Sequence, residues 1–136
     1  MNYETKIAIV VRDDLPVWQK LNVACFLSGG IVGAYPETIG EPYRDASGVD
    51  YGPMIRQPAM VFAGSGDDLK KVLQRALGRG LEPSVFTLDL FSTMNDAANR
   101  AAVAAVATDD LDLAGLSLYG DRKAIDKVIK GLKLHP

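Results

Sequence analysis

The order of apolar segments along this chain predicts an α/β fold, a three-layer α/β/α sandwich around a four- to five-stranded mixed, mostly parallel sheet. Two observations carry that expectation. Four short runs, apolar along their whole length, alternate with segments of helical periodicity in the order β-α-(β)-β-α-β-α-β-α. Strands that are apolar throughout belong in a sheet covered on both faces. With 136 residues, 48% of them hydrophobic, the chain is long enough for one domain over 1–136 and too short for two.

The first strand is TKIAIVVR, residues 5–12, a β-branched run too short for a helix. Asp13 and Asp14 follow, then Pro16, which predicts a carboxylate-capped helix from about Pro16 to Leu27 with Gly29 and Gly30 as its stop. Residues 33–57 are punctuated by glycine and proline and read as a long connection, with one short strand near 41–44 or 54–56. A second buried strand covers 58–64. Ser65 and Asp68 then form a capping-box start for a helix over 67–78, with Leu69, Val72, Leu73, Ala76 and Leu77 as its apolar stripe. A third strand covers 84–89. Thr93 and Asp96 repeat the capping signature before an alanine-rich helix reaching about Val106, whose small side chains suit burial against the sheet or a partner subunit. The fourth strand is 112–119 and the last helix is 121–131, opened by Asp121.

Composition narrows the chemistry. A net charge of -2 argues against strong non-specific nucleic-acid binding. Lys123, Lys127, Lys130 and Lys133 fall at helical spacing and read as a solvated face. One cysteine excludes an internal disulfide, and Cys25, in mid-helix, reads as a small buried packing residue. One histidine, His135, stands next to the C-terminus, which argues against a Ser-His-Asp triad, a histidine-based metal site and a catalytic role for that residue. No metal ligand set, cofactor fingerprint, signal peptide or membrane span is expected, and the cytoplasm is the expected compartment. Gly64-Ser65-Gly66 reads as a tight turn.

Three segments taken in order resemble the archaeal- and eukaryotic-type peptidyl-tRNA hydrolases. They are KIAIVVRDDL (6–15) with Lys20 five residues on, QPAMVFAGSGDDLKKVLQRALGRGL continuing to SVFTLDLFST (57–93), and AGLSLYGDRKAIDKVIKGLKL (114–134). That resemblance implies a peptidyl-tRNA hydrolase II-like fold that dimerises and a metal-free ester hydrolysis. It also implies a catalytic trio. Lys20 matches the family's lysine and would stabilise an oxyanion. Asp89 matches the acid closing the third strand and would orient or deprotonate water. Thr93 matches the threonine four residues beyond and would donate a hydrogen bond. Arg12, ending the first strand, and Asn99 and Arg100, polar positions within the alanine-rich helix, are further candidates for ligand contacts.

The sequence departs from the family at several positions. Gln19 replaces the glycine before the lysine, Ala24 and Leu27 replace a glutamine and a histidine, and Ala59 and Ala63 replace lysines. These losses argue against tRNA. The pattern is similar to a bacterial branch of the same fold known as a domain of unknown function. Three readings follow: a hydrolase of an ester or amide, a non-catalytic module that binds a small ligand or a protein on the same edge, and a homodimer built through the alanine-rich helix or residues 33–57.

Overall fold

A computed structural model describes residues 3–136 of the chain. Its strands are β1 (Thr5–Arg12), β2 (Tyr43–Arg44), β3 (Asp50–Tyr51), β4 (Ala59–Gly64), β5 (Ser84–Thr87), β6 (Leu113–Asp121) and β7 (Lys133–Leu134). Its helices are α1 (Val17–Ala34), α2 (Gly66–Gly78), α3 (Asp96–Ala104) and α4 (Arg122–Val128). Five strands form one sheet in the order β5-β6-β1-β4-β7, while β2 and β3 pair as a separate ribbon. Helix α1 covers one face, packing Val23 and Leu27 on Ile9, Val11 and Phe86. On the other face α2 and α4 bury Leu69, Val72, Leu73, Ile125 and Val128 against Ala8, Val10, Leu116 and Leu118. The alternation of β1 between these clusters is the two-residue pleat of a strand buried on both sides. No described helix is long and apolar enough to cross a membrane.

The sheet is mixed, but it is not mostly parallel. Only β1–β4 pair in parallel; β1–β6, β5–β6 and β4–β7 are antiparallel. Strand β6 inserts between β5 and β1 and runs against both. The segment leading into it makes no crossover, because α3 packs on the 3-10 turn Leu88–Ser92 rather than over a face of the sheet. Sequence order alone cannot distinguish that hairpin-like return from a βαβ crossover.

Other differences have local causes. Helix α1 runs through Gly29 and Gly30 to Ala34. Gly30 serves close packing instead of termination, since a Cβ there would lie 2.6 Å from Ser84 Oγ. Pro16 occupies the α1 N-cap without a side-chain bond, and Asp14 turns instead to Arg12. The Ser65/Asp68 capping box forms as expected. The Thr93/Asp96 box does not, because Asn95 caps α3 through the Ala98 N–H. Helix α3 buries none of its residues. Helix α4 ends at Val128, so Lys130 and Lys133 lie beyond it and share no helical face with Lys123 and Lys127. Cys25 is exposed, on the outer side of α1, rather than buried.

Helix α1 also approaches β6 closely. A Cβ on Gly115 would lie 2.6 Å from Val23 Cγ1, 2.9 Å from Val10 O and 3.0 Å from Leu27 Cδ1. Two residues on, Ser117 is fully buried and donates its hydroxyl to Leu27 O at 3.3 Å. The backbone carbonyl at this contact cannot yield, so Gly115→Ala is expected to cost about 1–3 kcal/mol as overpacking. Gly29 has open space at its Cβ position. Gly29→Ala is expected to raise stability by about 0.5–1 kcal/mol through helix propensity. Chemical denaturation of the two variants checks the opposite signs.

Candidate functional site

Between α1, β5 and α3 lies an open cleft of about 410 Å³. Phe26, Phe86, Leu90 and Val103 give it apolar walls, and Asn99 and Arg100 stand at its polar side. Its size is within the range of small-ligand sites, roughly 300–1,000 Å³. The walls follow from the helix phases. Phe26 leaves α1 toward β5 and meets Phe86 edge to face at 5.5 Å between centroids. Phe91, in the Leu88–Ser92 turn, closes on Phe86 at 5.0 Å and on Trp18 at 6.2 Å. Thr93 ends that turn. Its hydroxyl contacts Leu90 O at 2.9 Å and the side-chain amide of Asn99. One hydroxyl proton cannot serve both acceptors. The hydroxyl donates to Leu90 O or to Asn99 Oδ1, and the Asn99 NH₂ stays free as a donor. Arg100 bonds Asp96 one helical turn back and keeps further N–H donors. Thr93, Asn99 and Arg100 therefore belong to one neighbourhood.

Lys20 belongs to another. It lines a smaller hollow of about 220 Å³ whose other walls are Val11, Val17, Leu21, Ala24, Val61 and His135. Its Nζ stands 3.4 Å from His135 Nε2. The ring's Nδ1 faces Pro136 O at 2.9 Å, which favours the proton on Nδ1 and leaves Nε2 to accept from the lysine ammonium. Strand β7 holds the ring in place: it pairs with β4, and the His135 backbone N–H continues the ladder to Val61 O.

Asp89 is exposed on the Leu88–Ser92 turn. Trp18 and Lys20 leave α1 about 200° apart, at 100° per residue. Trp18 meets Phe91 of the turn that carries Asp89, while Lys20 meets His135 beside β4. Neither Asp89 nor Thr93 lines the Lys20 hollow. Arg12 lies at the C-terminal end of β1, where its guanidinium bonds Asp14 at 2.9 Å, Asp112 at 2.8 Å and Leu113 O at 3.3 Å. That engagement ties the ends of β1 and β6 together. Among the described residues no group of three or more His, Cys, Asp or Glu is arranged to hold a metal ion.

This chain belongs to the DUF2000 family. The family profile, described as a protein of unknown function, matches residues 5–136. No curated protein matches the chain. Among solved structures, a protein of unknown function from Agrobacterium tumefaciens strain C58 is 46% identical, with a TM-score of 0.96 over 99% of this chain and 100% of that one. The fold is therefore shared over the full length of that solved chain, and neither the family profile nor that protein is described with an activity.

Sequence reasoning missed His135 as a site neighbour. Its only signal was uniqueness, because a two-residue strand such as β7 leaves no periodicity to read. The Arg12 cluster yields a pH prediction. The hydrogen bond from Arg12, with its positive charge, holds the Asp14 carboxyl below the ordinary carboxylate range. A depressed native pKa means the pair contributes at neutral pH and loses its contribution as pH falls through that value. Because Asp14 is largely exposed, the contribution is small. In Arg12→Met the Asp14 titration, followed by carboxyl ¹³C NMR, is expected to move up toward the ordinary carboxylate value.

Proposed function

We propose that this chain is a peptidyl-tRNA hydrolase II-like domain that binds a small amphipathic anion between α1, β5 and α3, as a binding module without tRNA as its ligand. The observation that carries this reading is the cleft itself: aromatic and aliphatic walls with Asn99 and Arg100 converging on one side. An aryl or branched alkyl body would pack between Phe26, Phe86 and Val103. A carboxylate or phosphate head would take the guanidinium of Arg100, and Asn99, oriented by Thr93, would add a hydrogen bond. The net charge of -2 and the alanines at positions 59 and 63 speak against a nucleic-acid backbone. Aryl carboxylates and aryl phosphates are expected to raise the melting temperature saturably without being turned over. Arg100→Met is expected to weaken that binding about tenfold, the worth of one charged hydrogen bond. An absence of saturable stabilisation across such a panel, or turnover of the bound compound, rejects the reading.

A second reading, hydrolysis of an ester or amide, is favoured by one observation. Lys20 sits in an apolar hollow in contact with the only histidine of the chain. There the lysine would stabilise an oxyanion, with Asp89 and Thr93 acting on water from outside that hollow. Such a substrate must extend beyond the hollow. Lys20→Ala and Asp89→Asn should then each abolish turnover of a nitrophenyl ester while leaving thermal unfolding unchanged. Unaltered turnover in both variants rejects this chemistry.

We also infer a homodimer in which the ribbon of residues 40–56 from each copy lies on the outer face of α1 of the other. No charged residue occurs between Lys20 and Glu37. Val17, Trp18 and Leu21 are 62–71% exposed on α1, and Tyr43, Val49, Tyr51 and Met54 are 49–59% exposed on the ribbon. At on the order of 100 Å² each, these side chains supply about 700 Å² per copy, close to the size of a standard interface. Light scattering at micromolar concentration should give twice the chain mass, and Trp18→Glu with Leu21→Glu should return it to the monomer. A wild-type monomer overturns the inference.

A further inference from the structure

A second cavity, of about 220 Å³, opens at the N-terminal edge of β1 and β4 and shares no residue with the cleft or the Lys20 hollow. Lys6 and Arg122 are its charged walls, Thr5, Gln57 and Tyr3 its neutral polar ones, and Pro58 and Met60 its apolar floor. Two cations converging on one small hollow is an arrangement that self-repulsion disfavours unless something negative offsets it.

The neighbouring acceptors do not complete the site. Lys6 Nζ bonds Asp126 at 2.7 Å and stands 5.5 Å from the centre of the Phe62 ring. Arg122 makes no ion pair among the described residues, and its Nε is buried with no hydrogen-bond partner there. Its backbone N–H goes to Glu4 O, and the Glu4 side chain is exposed. Thr5 and Gln57 satisfy each other: the threonine hydroxyl donates to Gln57 Oε1 at 3.3 Å, and the Gln57 amide donates to Thr5 O at 3.2 Å. The Tyr3 hydroxyl donates to Arg56 O at 3.3 Å. The Arg122 Nε itself has no exposed surface, so an anion in the cavity reaches this residue through its terminal N–H groups, for which no acceptor is found among the described residues. A guanidinium without an acceptor on a cavity wall favours an anion there.

We propose that this cavity binds a small oxyanion, a phosphate or carboxylate group, through the planar fork of Arg122 with Lys6 as the second cation. Arginine suits the role because its paired N–H groups match two oxygens of one head group. The hollow has room for on the order of seven water molecules, at about 30 Å³ each. That admits the head and a short organic tail over Pro58 and Met60, and nothing larger.

The test titrates inorganic phosphate, phenyl phosphate and acetate separately into the intact chain while the Nε–H resonance of Arg122 is followed by ¹H–¹⁵N NMR. A saturable displacement of that resonance is expected. Tighter binding of phenyl phosphate identifies a monoester as the source, and equal or better binding of inorganic phosphate identifies the free ion. Arg122→Lys keeps the charge, loses the fork, and should weaken binding about tenfold. Lys6→Met should weaken it several-fold, and Arg100→Met, which alters the other cleft, should leave it unchanged. No saturable displacement with any of the three anions, or wild-type affinity in Arg122→Lys, overturns the proposal. If Arg122→Lys does not melt cooperatively, Lys6→Met decides alone, and wild-type affinity in that variant overturns it.

Discussion

Helix α1 sits where it does because Gly115 and Ser117 leave room for it on β6. The contact admits no Cβ at position 115, and Ser117 gives its hydroxyl to the Leu27 carbonyl across the same seam. Gly30 repeats the device against Ser84 on β5. Four small residues on two strands and one helix thus bring α1 close enough for Val23 and Leu27 to reach the β1 side chains below. Close-packed interiors tolerate little displacement, so moving α1 outward would open the first layer of the core along its length.

That placement divides the upper face of the domain. On the β5 side, Phe26 and Trp18 reach the aromatic pair Phe86 and Phe91, and a cleft opens toward Asn99 and Arg100. On the β4 side, Lys20 meets His135 over an apolar hollow. The outer surface of the helix keeps large apolar side chains in solvent. An exposed apolar surface of this kind is unusual on a helix that also packs on a sheet.

Much of the scaffold was legible because its signals are local. The apolar run 5–12, the Ser65/Asp68 box and the Asp121 cap each depend on residues within one turn of each other. The misreadings share the opposite trait. Gly29 and Gly30 look like a helix stop until Ser84 shows why α1 must be slim at Gly30 and not end. Thr93 looks like an N-cap until the turn before it takes its hydroxyl. The alanine-rich helix looks buried until β6 returns between β5 and β1 and leaves α3 outside. Asn99 and Arg100 were singled out from their polarity inside an alanine-rich run, and both line the cleft. That Lys20 lines a different hollow could not be read that way, because it depends on the angular phase of α1 after docking.

By itself the sequence determined the class of fold, the number and kinds of the main elements, and most of the side chains that fill the two core layers. Hydrophobic periodicity and caps act over three to five residues and need no partner to be read. Tertiary structure alone decided the strand directions, the pairing of β7 that carries His135 to Lys20, and the cavity where Arg122 meets Lys6. Lys20 and His135, and Lys6 and Arg122, stand more than a hundred positions apart. Their meeting is fixed by how whole layers stack, and no local pattern in the chain encodes it.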